Sequence, residues 1–366
     1  MVWNWQLPRW PRFSYDPKEI EELEKKFLVE CGNSFGLINY LDEEEKKDFI
    51  VEILSIEGQK SAEIEGEILE RESLQSSIRK HLGLKVQKKG KLKEAGMADL
   101  LCTVYESYQE PLTHKMLHTW HKLLMQNETK EIEKGHYRLH KEPMQIVSGR
   151  VDRHTVFFEA PPSASIEGEM TDFIKWYNQT NETSLLCKAA IIHVYFESIH
   201  PFEDGNGRIG RALVEKFLSM SLGKPLLLAI SQIIEKRKKE YYHYLGLCNR
   251  SLDVQAWVNF FSEILLQSQN TSKELIGFII EKSKLLHNLS GKINERQEKA
   301  LLRMFKEGAK GFSGGLSAEN YMKITKTSRA TTTRDLQDLV DKKALYKTGK
   351  LKHTRYWLNL PTQKPE

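Results

Sequence analysis

The 366-residue sequence lacks the cysteine patterns of a secreted or zinc-stabilised protein. Its four cysteines, Cys31, Cys102, Cys187 and Cys248, are scattered with no paired spacing. This disfavours a disulfide framework or a zinc cluster and is typical of reduced thiols in a cytoplasmic protein. No apolar run approaches the length of a transmembrane helix, and the first residues lack the basic and apolar regions of a signal peptide. We therefore expect a cytoplasmic protein with no membrane partner.

Low-complexity segments, internal repeats and a strong excess of one charge are also missing. The formal net charge is only +5, and 40% of the residues are hydrophobic. A chain of this length and composition can bury a sizeable core and is expected to hold two or three domains. We predict three parts, which are residues 1–90, 91–285 and 286–366, with helices dominating the first.

One stretch, residues 200–211, combines residue types that suit a phosphate site. It has the sequence HPFEDGNGRIGR, in which His200 follows an apolar run and Asp204 precedes the glycines. Arg208 and Arg211 follow, in what we predict to be the start of a helix. Glycines let backbone N–H groups converge, and a helix N-terminus favours an anion there. Arginines add bidentate contacts to phosphate oxygens.

The acid and the histidine of this stretch can then be given chemical roles. A carboxylate inside a phosphate site is explained when Mg²⁺ lies between Asp204 and the phosphates. His200 is a titratable group beside a polyphosphate, which is the position of a general base. The alternative is a glycine-rich loop that caps a helix, with His200 hydrogen-bonded in the core.

The pattern H-P-F-x-D-G-N-G-R-x-x-R resembles the signature of the Fic family, and every specified position is filled. The resemblance implies transfer of AMP from ATP to a serine, threonine or tyrosine hydroxyl of a protein, the chain itself included. It implies that His200 is the catalytic base and that Asp204 binds Mg²⁺. It implies five phosphate ligands, which are Gly205, Asn206, Gly207, Arg208 and Arg211.

A short pattern nearer the N-terminus resembles the Fic inhibitory motif, [S/T]-x-x-x-E-[G/N]. Ser61 and Glu65 are four residues apart, so they share one face of a predicted helix. In the family the glutamate pairs with the second signature arginine, here Arg211. A second match, residues 163–168, follows two prolines and opens a helix, so we interpret Ser165 there as an N-cap. Because one Fic class places the inhibitory helix N-terminal to the core, we assign the role to Ser61 and Glu65.

Two further segments are assigned to substrate binding. Short β-prone runs at 144–147 and 155–158 predict a hairpin. The resemblance makes this hairpin a flap beside the active site that docks the target. An exposed strand edge suits that role, because it can bind an extended peptide by strand addition. The alternative is a hairpin that only covers the core.

The helix predicted for residues 236–249 supplies candidates for adenine binding. Tyr242 and Asn249 are seven residues apart, so they lie on one face. An aromatic ring can stack on a base and an amide can bond its edge. The resemblance places Tyr241, Tyr242 and Asn249 around adenine, and ordinary helix packing is the alternative.

The remaining segments lead to structural expectations. An aromatic, proline-interrupted arm at residues 1–15 resembles the start of an N-terminal domain attached to some Fic proteins, and we expect it to pack on its own domain. Glycines and lysines at 83–96 predict a basic linker. A helix at 112–125 carries three histidines that we expect at or near the surface. His193, on an apolar helix face, is expected to be a hydrogen-bonded core residue.

The C-terminal part differs in charge. Residues 292–360 contain sixteen Lys and Arg against seven Asp and Glu, a net +9, which leaves −4 for the rest of the chain. Two predicted helices joined by a turn, followed by two strands, indicate a winged helix-turn-helix. Basic charge suits DNA as a partner, although this fold also binds proteins.

The predicted fold class is therefore mainly α, with a Fic-type helical core, a β-hairpin flap and a C-terminal winged helix-turn-helix domain. The first function hypothesis is an adenylyltransferase that Glu65 inhibits. The second is a hydrolase in which that acid orients water and removes AMP from a modified protein. The third is a DNA-binding regulator that mainly modifies itself. A homodimer is among the oligomeric states that the sequence leaves open.

Overall fold

The computed structural model describes residues 2–86, 90–129, 131–150, 153–179, 184–308, 311–312 and 314–361. In these ranges the protein is mainly helical, as predicted. The helices are α1 Glu21–Asn39, α2 Glu43–Ile64, α3 Arg71–His81, α4 Leu92–Glu106, α5 His114–Met125, α6 Ile166–Asn178, α7 Leu185–Ile199, α8 Asn206–Leu222, α9 Ile230–Lys236, α10 Lys238–Cys248, α11 Gln255–Leu289, α12 Glu295–Phe305, α13 Ala318–Thr325 and α14 Arg329–Asp341. The strands are β1 Gln145–Arg150, β2 Arg153–Glu159, β3 Leu345–Thr348 and β4 Arg355–Leu358.

The chain divides into two compact units. One comprises residues 1–32 and 50–272, and the other residues 33–49 and 273–366. The division of the sequence into residues 1–90, 91–285 and 286–366 stays a prediction. Across the described parts of the chain, no helix combines the length and the apolar character needed to cross a membrane.

Helix α7 lies at the centre of the first unit and packs against α8. Its sequence is apolar on every side, so almost every residue in it is buried. His193 lies within this core, as predicted, with its ring stacked on Phe261 and its Nε2 atom 2.7 Å from the hydroxyl of Tyr241. Since α7 leads into the signature and α8 follows it, the packing of these two helices positions residues 200–205.

The predicted hairpin at the flap is confirmed. β1 and β2 pair antiparallel, with Gln145 opposite Glu159 and a shift of register between Ile146 and Val147. The bulge changes which side chains face the same side of the hairpin along β1. The flap comprises β1 and β2, and β2 ends at Glu159, shortly before the chain enters α6.

The prediction of a linker over residues 83–96 is wrong for its second half, because α4 begins at Leu92. Gly96 allows a close approach of two helices, since a Cβ atom there would lie 2.6 Å from the carbonyl oxygen of Leu123 in α5. Glu94 is buried and accepts a hydrogen bond from the backbone N–H of Glu70. Composition suggested a linker, whereas these residues have packing roles.

Two local expectations are also corrected. His121, expected near the surface, is fully buried, with its ring stacked 4.2 Å from that of Phe202 and its Nδ1 atom accepting from the N–H of Gly135. Ser165 stands at the N-cap position of α6, but its hydroxyl donates to the carbonyl of Pro162 and bonds no N–H group of α6. Ser165 therefore occupies the N-cap position of α6 without capping the helix through its side chain.

The second unit contains α12–α14 and the antiparallel pair β3–β4, in which Leu345 lies opposite Leu358. Ser317 and Ser328 cap α13 and α14 with their side chains. The order of two helices, a turn and a hairpin matches the sequence prediction. Its assignment as a winged helix stays a prediction.

Candidate active site

The catalytic candidate His200 ends α7 in a left-handed conformation, with φ 51° and ψ 59°. This conformation is uncommon for residues other than glycine and costs about 1–3 kcal/mol, so the surrounding structure must hold it. Its own N–H group donates to the carbonyl of Phe196. The chain therefore turns sharply at the residue whose side chain is expected to do the chemistry.

Arg138, whose role no sequence pattern indicated, helps to hold this conformation. This buried guanidinium donates from Nε to the carbonyl oxygen of His200 at 2.9 Å and from Nη1 to the hydroxyl of Ser163 at 2.9 Å. Its backbone N–H donates to the carbonyl of Pro201 at 2.9 Å. Arg138 thus fixes two consecutive carbonyl groups of the loop from one position.

The side chain of His200 lies in a pocket that keeps it neutral. Burial, reinforced by the positive charge of Arg138, lowers the pKa of His200 to about 4. Glu197 lies one turn before it on α7, with Oε2 3.8 Å from Nδ1 of His200. Burial and the nearby carboxylate of Glu65 raise the pKa of Glu197 to about 8. At pH 7 the imidazole can therefore accept a proton.

Asn206 closes the signature loop. Its Oδ1 atom accepts from the N–H of Phe202 at 3.0 Å, and its Nδ2 atom donates to the carbonyl of Phe202 at 2.8 Å. Gly205 precedes α8 with φ +82°, and a Cβ atom there would lie 2.4 Å from Cε of Met125. Asn206, one of the five predicted phosphate ligands, thus uses both polar atoms of its side-chain amide to shape the loop.

Arg211 is almost completely buried, at 1% exposure, and its partners come from the last turn of α2 and the residue that follows this helix. Its Nη2 atom lies 2.9 Å from Oε1 of Glu65, and its Nε atom donates to the hydroxyl of Ser61 at 3.0 Å. Burial disfavours its charge, but Glu65, together with Tyr241 and Glu57, outweighs burial and raises the pKa of Arg211. The structure therefore brings together the three residues that the inhibitory-motif resemblance paired.

The carboxylate of Glu65 also covers the first turn of α8. A Cβ atom on Gly207 would lie 2.2 Å from Oε1 of Glu65, so only glycine leaves room for that oxygen. Anions are stabilised at helix N-termini by free N–H groups and the helix dipole. The carboxylate thus lies where an anionic group of a ligand would be stabilised.

Arg208, the first signature arginine, is held by two acids. Its Nη2 atom lies 3.0 Å from Oδ1 of Asp204, and its Nη1 atom lies 3.1 Å from Oε1 of Glu67. Glu67 also lies 3.3 Å from the ammonium of Lys93. Each signature arginine is therefore paired with a carboxylate from residues 65–67, although the sequence pattern pointed only to Glu65.

Hydrogen bonds to two other helices hold the end of α2, which Glu65 follows directly. Two turns earlier on the same helix, the buried carboxylate of Glu57 accepts from the backbone N–H of Ser231 at 2.8 Å. At the helix end, Lys238 and Tyr242 of α10 donate to the carbonyl of Ile64, at 2.5 and 3.3 Å. A cation at a helix C-terminus is favourable. These contacts set the position of Glu65 over α8.

The three adenine-binding candidates have different environments. Tyr241 is buried and paired with His193, whereas the side chain of Tyr242 is 45% exposed. Asn249 follows α10, and its amide donates to the carbonyl of Phe157 in the flap at 3.3 Å. Asn249 therefore contacts the flap, whereas the hydroxyl of Tyr242 bonds the end of α2 and Tyr241 packs in the core.

Asp204 is the candidate ligand for Mg²⁺. In the part of the chain that the structure describes, no three His, Cys, Asp or Glu side chains are grouped so as to bind a metal. Mg²⁺ in nucleotide sites is commonly bound through one or two carboxylates, with substrate phosphates completing its shell. Asp204, with its side chain 30% exposed beside the N-terminus of α8, fits that kind of site.

Comparison with known families agrees with this geometry. Residues 111–218 match the model of the Fic/DOC family. The chain contains a Fic/DOC domain. The whole signature, residues 200–211, lies inside the matched range. Residues 3–84 match a second family model, described as a domain of unknown function (DUF4172). Ser61, Glu65 and Glu67 belong to that region, so the Glu65 and Glu67 carboxylates that pair with the signature arginines come from outside the Fic/DOC match.

Relatives of the Fic/DOC domain include named enzymes. Two proteins called protein adenylyltransferase Fic, from Drosophila virilis and Drosophila melanogaster, are 32% and 31% identical to this chain over 141 residues. The similarity covers 37% of this chain and 27% of each relative. The chain thus matches about a quarter of the length of these relatives.

Solved structures show a similar fold. A Fic family protein from Desulfovibrio desulfuricans has a TM-score of 0.53 and 23% identity, over 95% of this chain and 98% of that one. A Fic-domain-containing signaling protein from Bacteroides thetaiotaomicron has a TM-score of 0.53 and 20% identity, over 69% of this chain and 96% of that one. At these identities the likeness concerns the fold.

Proposed function

We propose that this protein transfers AMP from ATP to a hydroxyl group of a protein, and that Glu65 inhibits the transfer. The observation that carries the proposal is the placement of a neutral, largely buried His200 at the end of α7, on the same short loop that leads to two arginines at the N-terminus of α8. In this proposal, Glu67 and Glu65 leave Arg208 and Arg211 before both arginines bind phosphate. The names of the Drosophila relatives support the type of reaction.

The proposed reaction needs one base and one anion site. The target hydroxyl gives its proton to His200 while its oxygen forms a bond to the α-phosphorus. The bond between that phosphorus and the bridging oxygen breaks, and pyrophosphate leaves with the electron pair. The pKa of His200 is about 4 without ligand, and the negative charge of a bound triphosphate would raise it toward the pH at which it acts.

The chain stabilises the phosphates by position and charge. Backbone N–H groups at the start of α8 would bind phosphate oxygens at the position over Gly207 that the Glu65 carboxylate covers. Arg208 and Arg211 would neutralise the β- and γ-phosphates, as the resemblance implies. Because these groups are fixed before ATP binds, little reorganisation is needed during the reaction.

Glu65 inhibits, in this proposal, by occupying the partner position of the γ-phosphate. Its carboxylate is 2.9 Å from Nη2 of Arg211 and lies over Gly207. ATP that binds while Glu65 stays in place lacks the Arg211 contact. Its α-phosphorus is then poorly oriented for attack by the target hydroxyl. A misplacement of about 1 Å can reduce the rate roughly a hundredfold.

Glu67 extends the same inhibition to the first arginine. Its contact with Arg208 lies two residues beyond Glu65, on the chain that follows α2. Withdrawal of residues 65–67 would therefore free both arginines together. Lys93, which pairs with Glu67 from α4, helps to keep the inhibitory segment in place.

Asp204 would hold Mg²⁺, which would neutralise phosphate charge and favour the departure of pyrophosphate. We expect Asp204→Asn to reduce AMP transfer at least about a hundredfold, because an amide is a weak ligand for Mg²⁺. The amide can still accept the N–H of Gly205 that Asp204 accepts at 2.6 Å, so the loop should keep its shape. Transfer measured against Mg²⁺ concentration checks this, with EDTA as the metal-free control. Undiminished transfer in EDTA would contradict the assignment.

Nucleotide and target binding are assigned to the elements beside this centre. Tyr242 would stack on adenine, and Asn249 would bond its edge, with Tyr241 supporting both from the core. The flap would dock an extended segment of the target by strand addition. The donor nucleotide is tested most directly by incubating the protein with α-labelled ATP and lysate, with the other three labelled nucleoside triphosphates as controls. Labelled proteins are then identified by mass spectrometry, and labelling by another nucleotide alone would overturn the choice of ATP.

DNA binding by the C-terminal unit is a second candidate function. The favouring observation is the first two turns of α14, where Arg329, Thr333 and Arg334 are exposed after the Ser328 cap. Helices of this kind enter the major groove with their N-terminal residues toward the bases.

We expect the full-length protein to bind duplex DNA at low salt, with affinity falling as salt rises. Replacing Arg329 and Arg334 together by alanine should reduce the magnitude of the log–log salt slope by about two, roughly one for each phosphate contact. The matched control replaces the exposed Lys292 and Lys299 by alanine, which removes the same charge elsewhere in this unit. Equal losses in both pairs, or no binding at low salt, would remove the regulator hypothesis.

A further inference from the structure

The first residues of the chain pack on the base of the flap. The ring of Trp3 lies edge-to-face on that of Phe158 in β2, with centroids 5.5 Å apart, and forms a buried cluster with Phe158 and Ala160. Trp5 borders this cluster, and its indole Nε1 donates to the carbonyl of Glu159 at 2.7 Å. The aromatic arm therefore contacts β2 of the flap, which is proposed to receive the target.

Asn4, between the two tryptophans, connects the same point to the rest of the site. It is fully buried, and its amide donates to the hydroxyl of Ser198, two residues before His200, at 2.8 Å. Its backbone N–H donates to the carbonyl of Asn249 at 2.8 Å. Asn249 also donates to the carbonyl of Phe157 in the flap. Trp3, Asn4 and Trp5 together therefore connect the flap, helix α7 and the residue that follows α10.

A flap of two strands needs such support. An isolated two-stranded hairpin is marginally stable in water at best, so its position depends on what packs against it. Tryptophan buries about 150–250 Å² and can keep a polar group bonded while doing so. Trp3 supplies the buried ring and Trp5 the directed hydrogen bond. The guanidinium of Arg250 covers the other side of Trp3, 4.3 Å from its ring.

We infer that Trp3, Asn4 and Trp5 are positioning residues, which hold the flap at a fixed distance from His200 so that a target segment docked on it presents its hydroxyl to the base. This inference rests on the proposed function for what the flap binds. It assigns a role in the transfer reaction to the first residues of the region matched as a domain of unknown function. Trp3 and Trp5 use their side chains on the flap, and Asn4 contacts the adenine-binding candidate Asn249 only through its backbone N–H, so substitutions of Trp3 and Trp5 should leave nucleotide binding unchanged.

The arm itself provides a matched control. Trp10 also donates an indole hydrogen bond, from Nε1 to Oε2 of Glu169 at 2.9 Å, and its ring packs edge-to-face on Tyr195. These partners belong to α6 and α7 and not to the flap. Trp5→Phe and Trp10→Phe therefore each remove one N–H donor from the same arm and keep an aromatic ring.

The experiment compares these two variants, and Trp3→Ala, in full-length protein that also carries Glu65→Gly, so that transfer is measurable. Amide hydrogen exchange of the β2 peptides reports local opening of the flap. We expect Trp5→Phe to accelerate this exchange about fivefold, the effect of one lost hydrogen bond, and Trp3→Ala to accelerate it more. Self-labelling with α-labelled ATP should fall by a similar factor, while ATP affinity stays within about twofold and Trp10→Phe resembles the parent.

Two results would overturn the inference. One is equal flap exchange in Trp5→Phe and Trp10→Phe, which would make the arm a general anchor of the fold. The other is faster flap exchange with undiminished labelling, which would separate flap position from transfer. Should the Glu65→Gly parent bind ATP and yet label nothing, the proposed function fails, whereas flap exchange in Trp5→Phe still decides whether the arm holds the hairpin.

Discussion

His200→Ala is expected to reduce AMP transfer by about a hundredfold to ten-thousandfold, the range that a positioned general base contributes. Removing the imidazole leaves the target hydroxyl without a proton acceptor. The α8 N-terminus and both arginines remain, so ATP affinity should be nearly unchanged. Transfer from α-labelled ATP and ATP binding are measured on the same preparation. His287→Ala, which removes an exposed histidine outside the signature, should behave as wild type.

The pH dependence offers a second check on the same residue. A base works above its pKa and is lost as pH falls through it. The pH profile of kcat/KM reports groups of the free enzyme, and the pKa of His200 there is about 4. The acid limb of kcat/KM should therefore lie well below 6.5, the value of an ordinary histidine. An acid limb at 6.5 or above would contradict the buried environment of His200, and wild-type transfer by His200→Ala would exclude it as the base.

The signature was predictable because its chemistry is local. Twelve consecutive residues specify a helix end, a turn and a helix start, and the structure forms these at Ile199, His200 and Asn206. The pairing of Glu65 with Arg211 spans 146 residues, and it was predicted only because the resemblance supplied the partner. The predictions of helices and strands likewise rested on local features, namely apolar spacing and turn residues.

Contacts that depend on tertiary packing alone could not be predicted. Arg138 lies 62 residues from His200, and Glu67 lies 141 residues from Arg208. No spacing rule links such positions, and a single sequence gives no covariation. His121 shows the same limit within one helix, because the pattern of α5 gave a helix but did not show that this histidine faces Phe202. Gly96 looked like linker composition because its packing partner belongs to the next helix.

Glu65→Gly is expected to raise AMP transfer by about a hundredfold, which is the rate lost when the reacting group is displaced by about 1 Å. Arg211 needs an anionic partner in either state, since it is buried and charged. Without Glu65 that partner becomes the γ-phosphate. The gain should appear mostly in rate and less in ATP affinity, because ATP can bind in an unproductive pose while Glu65 is present.

The stability of the variant gives an independent measurement. Removing one partner of a buried charge pair is destabilising, although Ser61 still bonds Arg211 and the Glu65 carboxylate is partly exposed. Glu65→Gly should therefore melt below wild type in the absence of ligand. A melting temperature equal to or above that of wild type would contradict a stabilising Glu65–Arg211 pair.

Glu67→Gln tests the second carboxylate. On its own it should change transfer little, because Glu65 still holds Arg211. Added to Glu65→Gly, it should increase transfer further, since Arg208 then loses its competing partner and keeps Asp204. The matched control is Glu63→Gln, which removes an α2 charge paired with Lys60. Equal effects of the two glutamine variants on the Glu65→Gly background would exclude a specific role for Glu67.

Glu167→Gly decides whether the correct motif was chosen. The second sequence match places Glu167 in the first turn of α6, exposed and 3.9 Å from Nδ1 of His114. No contact joins it to Arg211, so its replacement should leave self-labelling unchanged. Activation by Glu167→Gly and not by Glu65→Gly would overturn the assignment. If Glu65→Gly instead loses the removal of AMP from a modified target, without a gain in transfer, then Glu65 orients water and the protein is better described as the hydrolase.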